Sequence, residues 1–514
     1  MKHLLSILSS IFLGCCLFAQ PVIQWQKTFG GGDFDEPSSI QQTNDGGFIV
    51  TGRTASNDGD ILGSHGVWDI WTIKLDALGF IEWYKVLGGS EYDLSFDIQQ
   101  TQDEGYIIVG FTQSVNGDIS NNHGGGDVWI VKLSNLGDTQ WEKTLGGSEW
   151  DEAAAIALTN DEGYIIAAQT KSVDGDVTGK QGDDFDYWIV KLSSTGSIQW
   201  QKTYGGSDVD TPNSIKQTTD GGYIISGETK STDGDVSGNN GNVDFWALKL
   251  DSLGQIEWQN ALGGTGLDVG TNLFEVSDGY IGCGYVGSHN SGDVTGHHAF
   301  FDYWIVKLNQ SGELQWQKTL GGSDADWLFA SCTTSDDGLV VAGPTRSSDG
   351  DVQGYFGGQD VWVLKLNSEG EVIWQKILGG SKGESCASIK QTADNGFILA
   401  CDTWSNNNGI SGVHGYNDFW IVKLAPESTP VTEAPTIAQL EIYPNPAQTT
   451  ITLQTAAHEP NLLITITDML GRTIQRQPIQ NGKTVDVSTL ATGMYIITAT
   501  ASSGKTYSGT FKKE

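Results

Sequence analysis

Short apolar runs separated by polar turns dominate this chain. Tyr106 to Thr112 is β-branched and aromatic, with Gly and Asp on both flanks. That pattern reads as a strand. Its neighbourhood predicts a four-strand unit. Strands are expected at Leu94 to Thr101, Tyr106 to Thr112, Asp127 to Leu133 and Thr139 to Thr144. A tight turn, Gln102 to Gly105, joins the first two. A long loop, Gln113 to Gly126, joins the second and third, and Asn135 to Asp138 turns the chain into the fourth.

The unit repeats. One Trp series falls at 25, 83, 141, 200, 258, 316 and 374, in steps of 58 or 59. A second series falls at 71, 129, 188, 246, 304, 362 and 420. A fixed period means a solenoid or a propeller, and four antiparallel strands per period make a propeller blade. The ends of the array complement each other. Val22 to Phe29 is a fourth strand with no blade before it, and Asp418 to Leu424 is a third strand with no fourth after it. Joined, they complete one blade and leave no open edge. The expected fold is therefore all-β: a seven-bladed β-propeller over residues 20–425, closed by its N- and C-terminal strands. The repeated indoles are read as inter-blade core. The repeated Lys of the third strand (Lys74, Lys132, Lys191, Lys249, Lys307, Lys365, Lys423) is read as snorkelling or pairing with an acid.

The flanks differ. Residues 1–19 carry Lys2, then a short apolar run ending in Ala19. They read as a signal peptide cleaved before Gln20, too short to span a membrane. A partial lipobox, Leu13-Gly14-Cys15, offers lipidation as an alternative. Residues 426–435 are Pro-rich and read as an extended linker. Residues 436–514 lack Trp and carry five acids against six bases. Their short strands, from Leu440–Tyr443 to Thr506–Phe511, predict a small Ig-like β-sandwich.

Charge narrows the function. The 514 residues carry a formal net charge of -35, and the near-neutral tail assigns that acidity to the propeller. Such a surface repels nucleic-acid phosphates and anionic membranes. Four cysteines follow the leader: Cys283, Cys332, Cys386 and Cys401. Their spacing matches no disulfide or metal framework, so buried free thiols are expected, with Cys386 and Cys401 the one pair placed to react.

The tail contains Ile442-Tyr443-Pro444-Asn445-Pro446, then Asp468-Met469-Leu470-Gly471-Arg472, then Leu490-Ala491-Thr492-Gly493-Met494-Tyr495, and a terminal Lys512-Lys513. In order and spacing it resembles the type A C-terminal sorting domain of the type IX secretion system. The resemblance implies engagement of that secretion machinery, passage across the outer membrane, and release or attachment at the cell surface. The sorting residues it marks are Tyr443, Pro444, Asn445, Pro446, Gly471, Arg472, Gly493 and Tyr495. The propeller repeat is similar to an uncharacterised repeat often found ahead of such tails, which carries no settled activity.

Two loop sets are expected on one propeller face. The fourth-to-first loop reads Gly-Gly-Ser-x-x-Asp in most copies. The second-to-third loop carries Asp58 and Asp60, Asn116 and Asp118, Asp174 and Asp176, Asp233 and Asp235, Asp293, and Asp349 and Asp351. Carboxylates around a Gly turn are hard oxygen ligands suited to calcium; the same residues also satisfy local backbone N–H groups. Four Trp lie outside the series: Trp68, Trp150, Trp327 and Trp404. With Tyr92 they are candidate ligand contacts, because exposed aromatics stack on sugars or anchor partners. No nucleophile elbow, phosphate loop or paired zinc signature appears, so no catalytic residue is assigned. The expected function is an exported binding module, for glycan or a surface protein, with calcium as the candidate cofactor. A carbohydrate-active hydrolase using face carboxylates and a structural adhesive protein are the alternatives.

Overall fold

The structure is a computed structural model. It describes residues 20–180, 182–427, 438–455, 461–468, 473–480, 482–501 and 506–514. The leader and most of the linker lie outside these. Two compact units divide the chain, with the break between Glu427 and Ser428. Every regular element among the described residues is a strand.

Seven four-stranded antiparallel sheets make the first unit. Blade two consists of Asp93–Gln100, Tyr106–Thr112, Asp127–Leu133 and Thr139–Leu145, paired in that order. The sequence places these strands within a residue. Blade seven takes Glu384–Gln391, Phe397–Thr403 and Asp418–Leu424 from the end of the array and Ile23–Phe29 from its beginning. Thr28 lies opposite Trp420 and Lys27 opposite Ile421. The fold is thus a seven-bladed propeller closed by its own N- and C-terminal strands.

Burial explains the strand chemistry. All seven residues of each third strand are buried, because adjacent blades cover both faces. A strand buried on both faces needs near-continuous apolar residues rather than alternation. The second Trp series is fully buried in this layer. Trp246 packs on Tyr187 of the preceding blade at 4.6 Å and donates its indole N–H to Gln259 at 2.9 Å. The first series is half-buried in most copies and bridges blades. Trp83 lies 5.8 Å from Tyr106 of the next blade. Its ring also covers Gly137, where a Cβ would approach to 2.9 Å and φ is +83°. A side chain at that position would meet both a steric and a conformational cost.

The third-strand lysines are buried and paired. Each reaches an acid in the turn between the first and second strands, such as Asp103 for Lys132 at 3.0 Å and Asp161 for Lys191 at 2.8 Å. Burial opposes ionisation of Asp45, but hydrogen bonds from Thr43 and the Lys74 ammonium outweigh it and hold the carboxyl at about 2. Asp161 and Asp220 are held at about 2 in the same way.

Six first strands carry a bulge after their third residue, as at Ser95/Asp97. Blade six departs from the pattern. Its first strand shortens to Ala330–Thr333, and Pro344 occupies the second strand at this level.

In the second unit seven strands follow the order Thr473–Gln480, Asn461–Asp468, Gly493–Ala501, Thr506–Lys513, Ala438–Tyr443, Thr450–Thr455 and Thr484–Asp486. Leu453, Ile464, Ile497 and Phe511 are buried in its core. This is the small β domain expected of the tail.

Candidate functional site: the loop face and the channel

The acid loops have a repeated role. In blade two, Asp93 is buried beneath the Gly-Gly-Ser loop. It accepts the Gly89 N–H at 2.7 Å, the Thr112 hydroxyl at 2.5 Å and the Ser114 hydroxyl at 2.8 Å. The second-to-third loop then clasps the same segment. Asn116 accepts the Ser90 N–H at 2.9 Å and Asp118 the Gly88 N–H at 3.1 Å. Elsewhere Asp58, Asp174, Asp233 and Asp349 take the place of Asn116, accepting from Gly32, Ser148, Ser207 and Ser323. Asp60, Asp176, Asp235, Asp293 and Asp351 take the place of Asp118. In blade seven Asn407 accepts the Ser381 N–H, whereas Asn408 donates its side-chain amide to the Gly379 carbonyl. The paired acids of one loop therefore hold two different backbone amides. Among the described residues no group of three Asp, Glu, His or Cys gathers in a metal-holding arrangement.

The acid two residues before the second-series Trp caps its loop, as at Asp69, Asp127, Asp244, Asp302, Asp360 and Asp418. Asp127 accepts the His123 backbone and ring N–H groups, and Asp360 accepts from Phe356 at 2.7 Å. The repeated Lys pairs instead with the hairpin-turn acid. The first Gly of the Gly-Gly-Ser loop sits between two of these buried acids. A Cβ on Gly88 would fall 2.1 Å from Asp69 Oδ1 and 2.9 Å from Asp93 Oδ2. Only glycine lets the backbone pass. Burial raises several of these acids despite their hydrogen bonds. Asp35, Asp244, Asp326 and Asp360 each reach about 6.

The sequence-predicted aromatics are half-exposed and fall into clusters. Tyr416 stacks on Phe34 at 4.6 Å, Phe34 lies 6.4 Å from Trp68, and Trp68 bridges to Tyr92 through the backbone. The Arg53 guanidinium covers Trp68 at 5.0 Å. A second cluster joins Tyr285, Phe301, Trp327 and Phe329 at 5.7 to 6.0 Å, with Arg346 over Trp327. Trp150 stacks on Phe111 at 4.5 Å and donates to Glu152. Trp404 packs against Gly383 and is 39% exposed. The shelf thus has two assembled aromatic groups, one stacked pair and one single ring.

Sequence reasoning missed the channel. The first strands line a cavity of about 740 Å³, reached by Tyr285, Phe329 and Glu228 at one end and by Lys216 and Lys390 further in. Its signal was in the repeat itself. The second residue of each first strand and its cross-strand partner differ in every blade: Glu36 with Arg53, Leu94 with Phe111, Glu152 with Gln169, Thr211 with Glu228, Val269 with Tyr285, Ser385 with Asp402. Trp327 with Pro344 completes the set. These variable pairs lie one residue from the constant acids of the loop face. Variation runs along the first strands, whereas the third strands are nearly constant between copies.

The thiols are buried and free, and Cys386 lies directly opposite Cys401. His298 caps Asp302, and His297 contacts His289. No described helix is long and apolar enough to cross a membrane.

In the tail, Asn445 fastens the last strand. Its amide donates to the Thr510 carbonyl and its oxygen accepts the Lys512 N–H, both at 3.0 Å. Tyr443, Pro444 and Pro446 flank it in the open. Tyr495 is buried and donates to the Ala491 carbonyl at 2.9 Å; Gly493 begins its strand opposite Lys513. Gly471 and Arg472 lie outside the described residues.

Residues 441–512 match the secretion system C-terminal sorting domain. They are a type IX sorting domain. The protein is accordingly exported, to the cell surface or the medium, by the type IX secretion system. A segment of the chain is 23% identical over 224 residues to the regulatory protein FlaEY of Caulobacter vibrioides. That match takes in 40% of this chain and 22% of FlaEY, so the chain spans about a fifth of that relative. Similar solved structures include BBS1N in complex with ARL6DN (13% identity, 80% of this chain and 98% of that one, TM-score 0.42). Another is the WD40 domain of Neurospora crassa Pan2 (11% identity, 78% and 92%, TM-score 0.42).

Proposed function

We propose that the exported propeller is a binding module that takes glycan on its loop face. The supporting observation is the coincidence of the variable pairs with the Tyr285–Trp327 and Phe34–Trp68 clusters. Constant residues build the blades; each variable pair contains at least one aromatic or charged residue. Half-exposed rings held by neighbouring aromatics and Arg offer flat, pre-ordered faces for sugar stacking. Blade six, the blade that departs most from the repeat, departs by presenting Trp327 and Phe329 rather than acids. That favours recognition over hydrolysis. Calcium belongs to this proposal only as a variable to be tested.

The test is a glycan array on the full exported protein, with calcium and with chelator. Binding by wild type that falls about tenfold or more in Trp327→Ala or Trp68→Ala supports the reading. Binding lost on chelation adds calcium; absence of binding in both conditions overturns the glycan assignment in favour of a protein partner.

A second reading, hydrolysis, rests on one residue. Burial and then the nearby Glu36 push Asp402 up to about 7, a value suited to a general acid. Glu36 is tied to Arg53 at 2.7 Å. Oligosaccharide cleavage abolished by Asp402→Asn would favour this reading.

A further inference from the structure

The protein pairs its scaffold lysines without exception. All seven third-strand lysines are buried, and each meets a carboxylate of the neighbouring hairpin turn. Two lysines in the channel break this rule. Lys216 and Lys390 occupy the same position, the seventh of the first strand, in blades four and seven. Both line the cavity. The Lys216 amine has one polar neighbour, the Asn272 side-chain oxygen at 3.1 Å, and lies 4.5 Å from the Phe274 ring centroid. No carboxylate among the described residues forms an ion pair with either lysine.

The same position elsewhere in the ring holds Gln41, Gln99, Ala157, Phe274 and Cys332. The two ammoniums are therefore the only charges at that level. The next level holds Asp97, and its oxygens are already engaged. They accept from the Ser39 hydroxyl at 2.8 Å and the Ile98 and Ile156 backbone N–H groups. Burial and then the Lys390 charge push the Lys216 amine down to about 8. Two like charges share a confined space; Asp97 lies within electrostatic reach of Lys216, and Glu228 lines the same cavity, but neither carboxylate forms an ion pair with the two ammoniums. A buried charge without a partner is costly and is ordinarily compensated.

We infer that the channel is a subsite for one anionic group, a carboxylate or sulfate, held between Lys216 and Lys390. Charge-assisted hydrogen bonds from two ammoniums would bind such a group more strongly than neutral donors. The inference deepens the glycan reading by naming an acidic sugar as the ligand class, and it rests on that reading only for the sugar. Anion binding itself does not depend on the loop face.

The experiment titrates the full exported protein with glucuronate, glucose 6-sulfate, inorganic sulfate and, as the neutral control, glucose. Calorimetry and melting temperature are the readouts. At least one anion should bind and raise the melting temperature, glucose should not, and Lys216→Met and Lys390→Met should each weaken the anion about tenfold or more. The preferred anion separates a carboxylate-bearing ligand from a sulfated one. If Lys216→Met fails to fold, Lys390→Met and Lys216→Gln carry the test. Anions that bind no better than glucose, or equally well to the lysine variants, overturn the inference. A glycan array that fails while lysine-dependent anion binding persists overturns the loop-face reading alone.

Discussion

At the scale of single residues, the repeat separates side chains that hold the blades from those that sit on them. Trp246 is fully buried between blades and hydrogen-bonded through its indole. Trp246→Ala should cost about 3–5 kcal/mol, read as a lower midpoint in denaturant unfolding. Tyr92 is 42% exposed, and Tyr92→Ala should stay within about 0.5 kcal/mol of wild type. The constancy of the Trp and Lys series was legible in the sequence; their partners were not. The acid before each Trp and the Lys behind it recur together, yet Asp127 and Lys132 sit near opposite ends of one strand. Five residues of strand separate them by about 17 Å. The Lys therefore reaches the hairpin turn, and the acid caps the loop at the other face. Sequence spacing names the strand, but strand geometry decides which end each charge serves.

At the scale of elements, most strand limits could be read directly, because Gly and Asp turns punctuate β-branched runs. The closing strand was legible for a topological reason: an unmatched fourth strand at one end answers an unmatched third strand at the other. Its removal makes a sharp test. Deleting residues 20–29 leaves Asp418–Leu424 as an open edge and uncovers Trp420, whose indole donates to Gln26 at 3.0 Å. The shortened protein should melt well below wild type and aggregate through the exposed edge, as measured by scanning calorimetry and light scattering. The shortened first strand of blade six and the ring of channel residues were not legible. The shortened first strand of blade six carries no bulge. The channel ring depends on the bulge of the other six, which shifts which side chains face the axis. Periodicity alone does not reveal that shift.

At the scale of the whole molecule, charge gives the fold an unusual pH profile. Burial raises Asp35, Asp244, Asp326 and Asp360 to about 6 and Asp402 to about 7. Their unfolded values lie near 3.8. The folded state thus binds more protons between about pH 4 and 7, and these groups lose stability as pH rises through that window. Asp45, Asp161 and Asp220 shift the other way, to about 2. Their contribution is present above the unfolded value and is lost as pH falls from 3.8 toward 2. The melting temperature of the exported protein should therefore peak between about pH 4 and 5 and fall on both sides. A profile rising steadily to pH 8 would contradict the assignment of these acids.

The central claim is that recognition lies at the loop-face mouth. Hydrogen exchange of the full exported protein, with and without the strongest glycan from the array, tests it most directly. The account predicts slowed exchange at the mouth, around residues 206–211, 284–288 and 325–330, with the hairpin turns at 43–47 and 101–105 unchanged. Protection centred on those turns, or spread evenly over the blades, would contradict it.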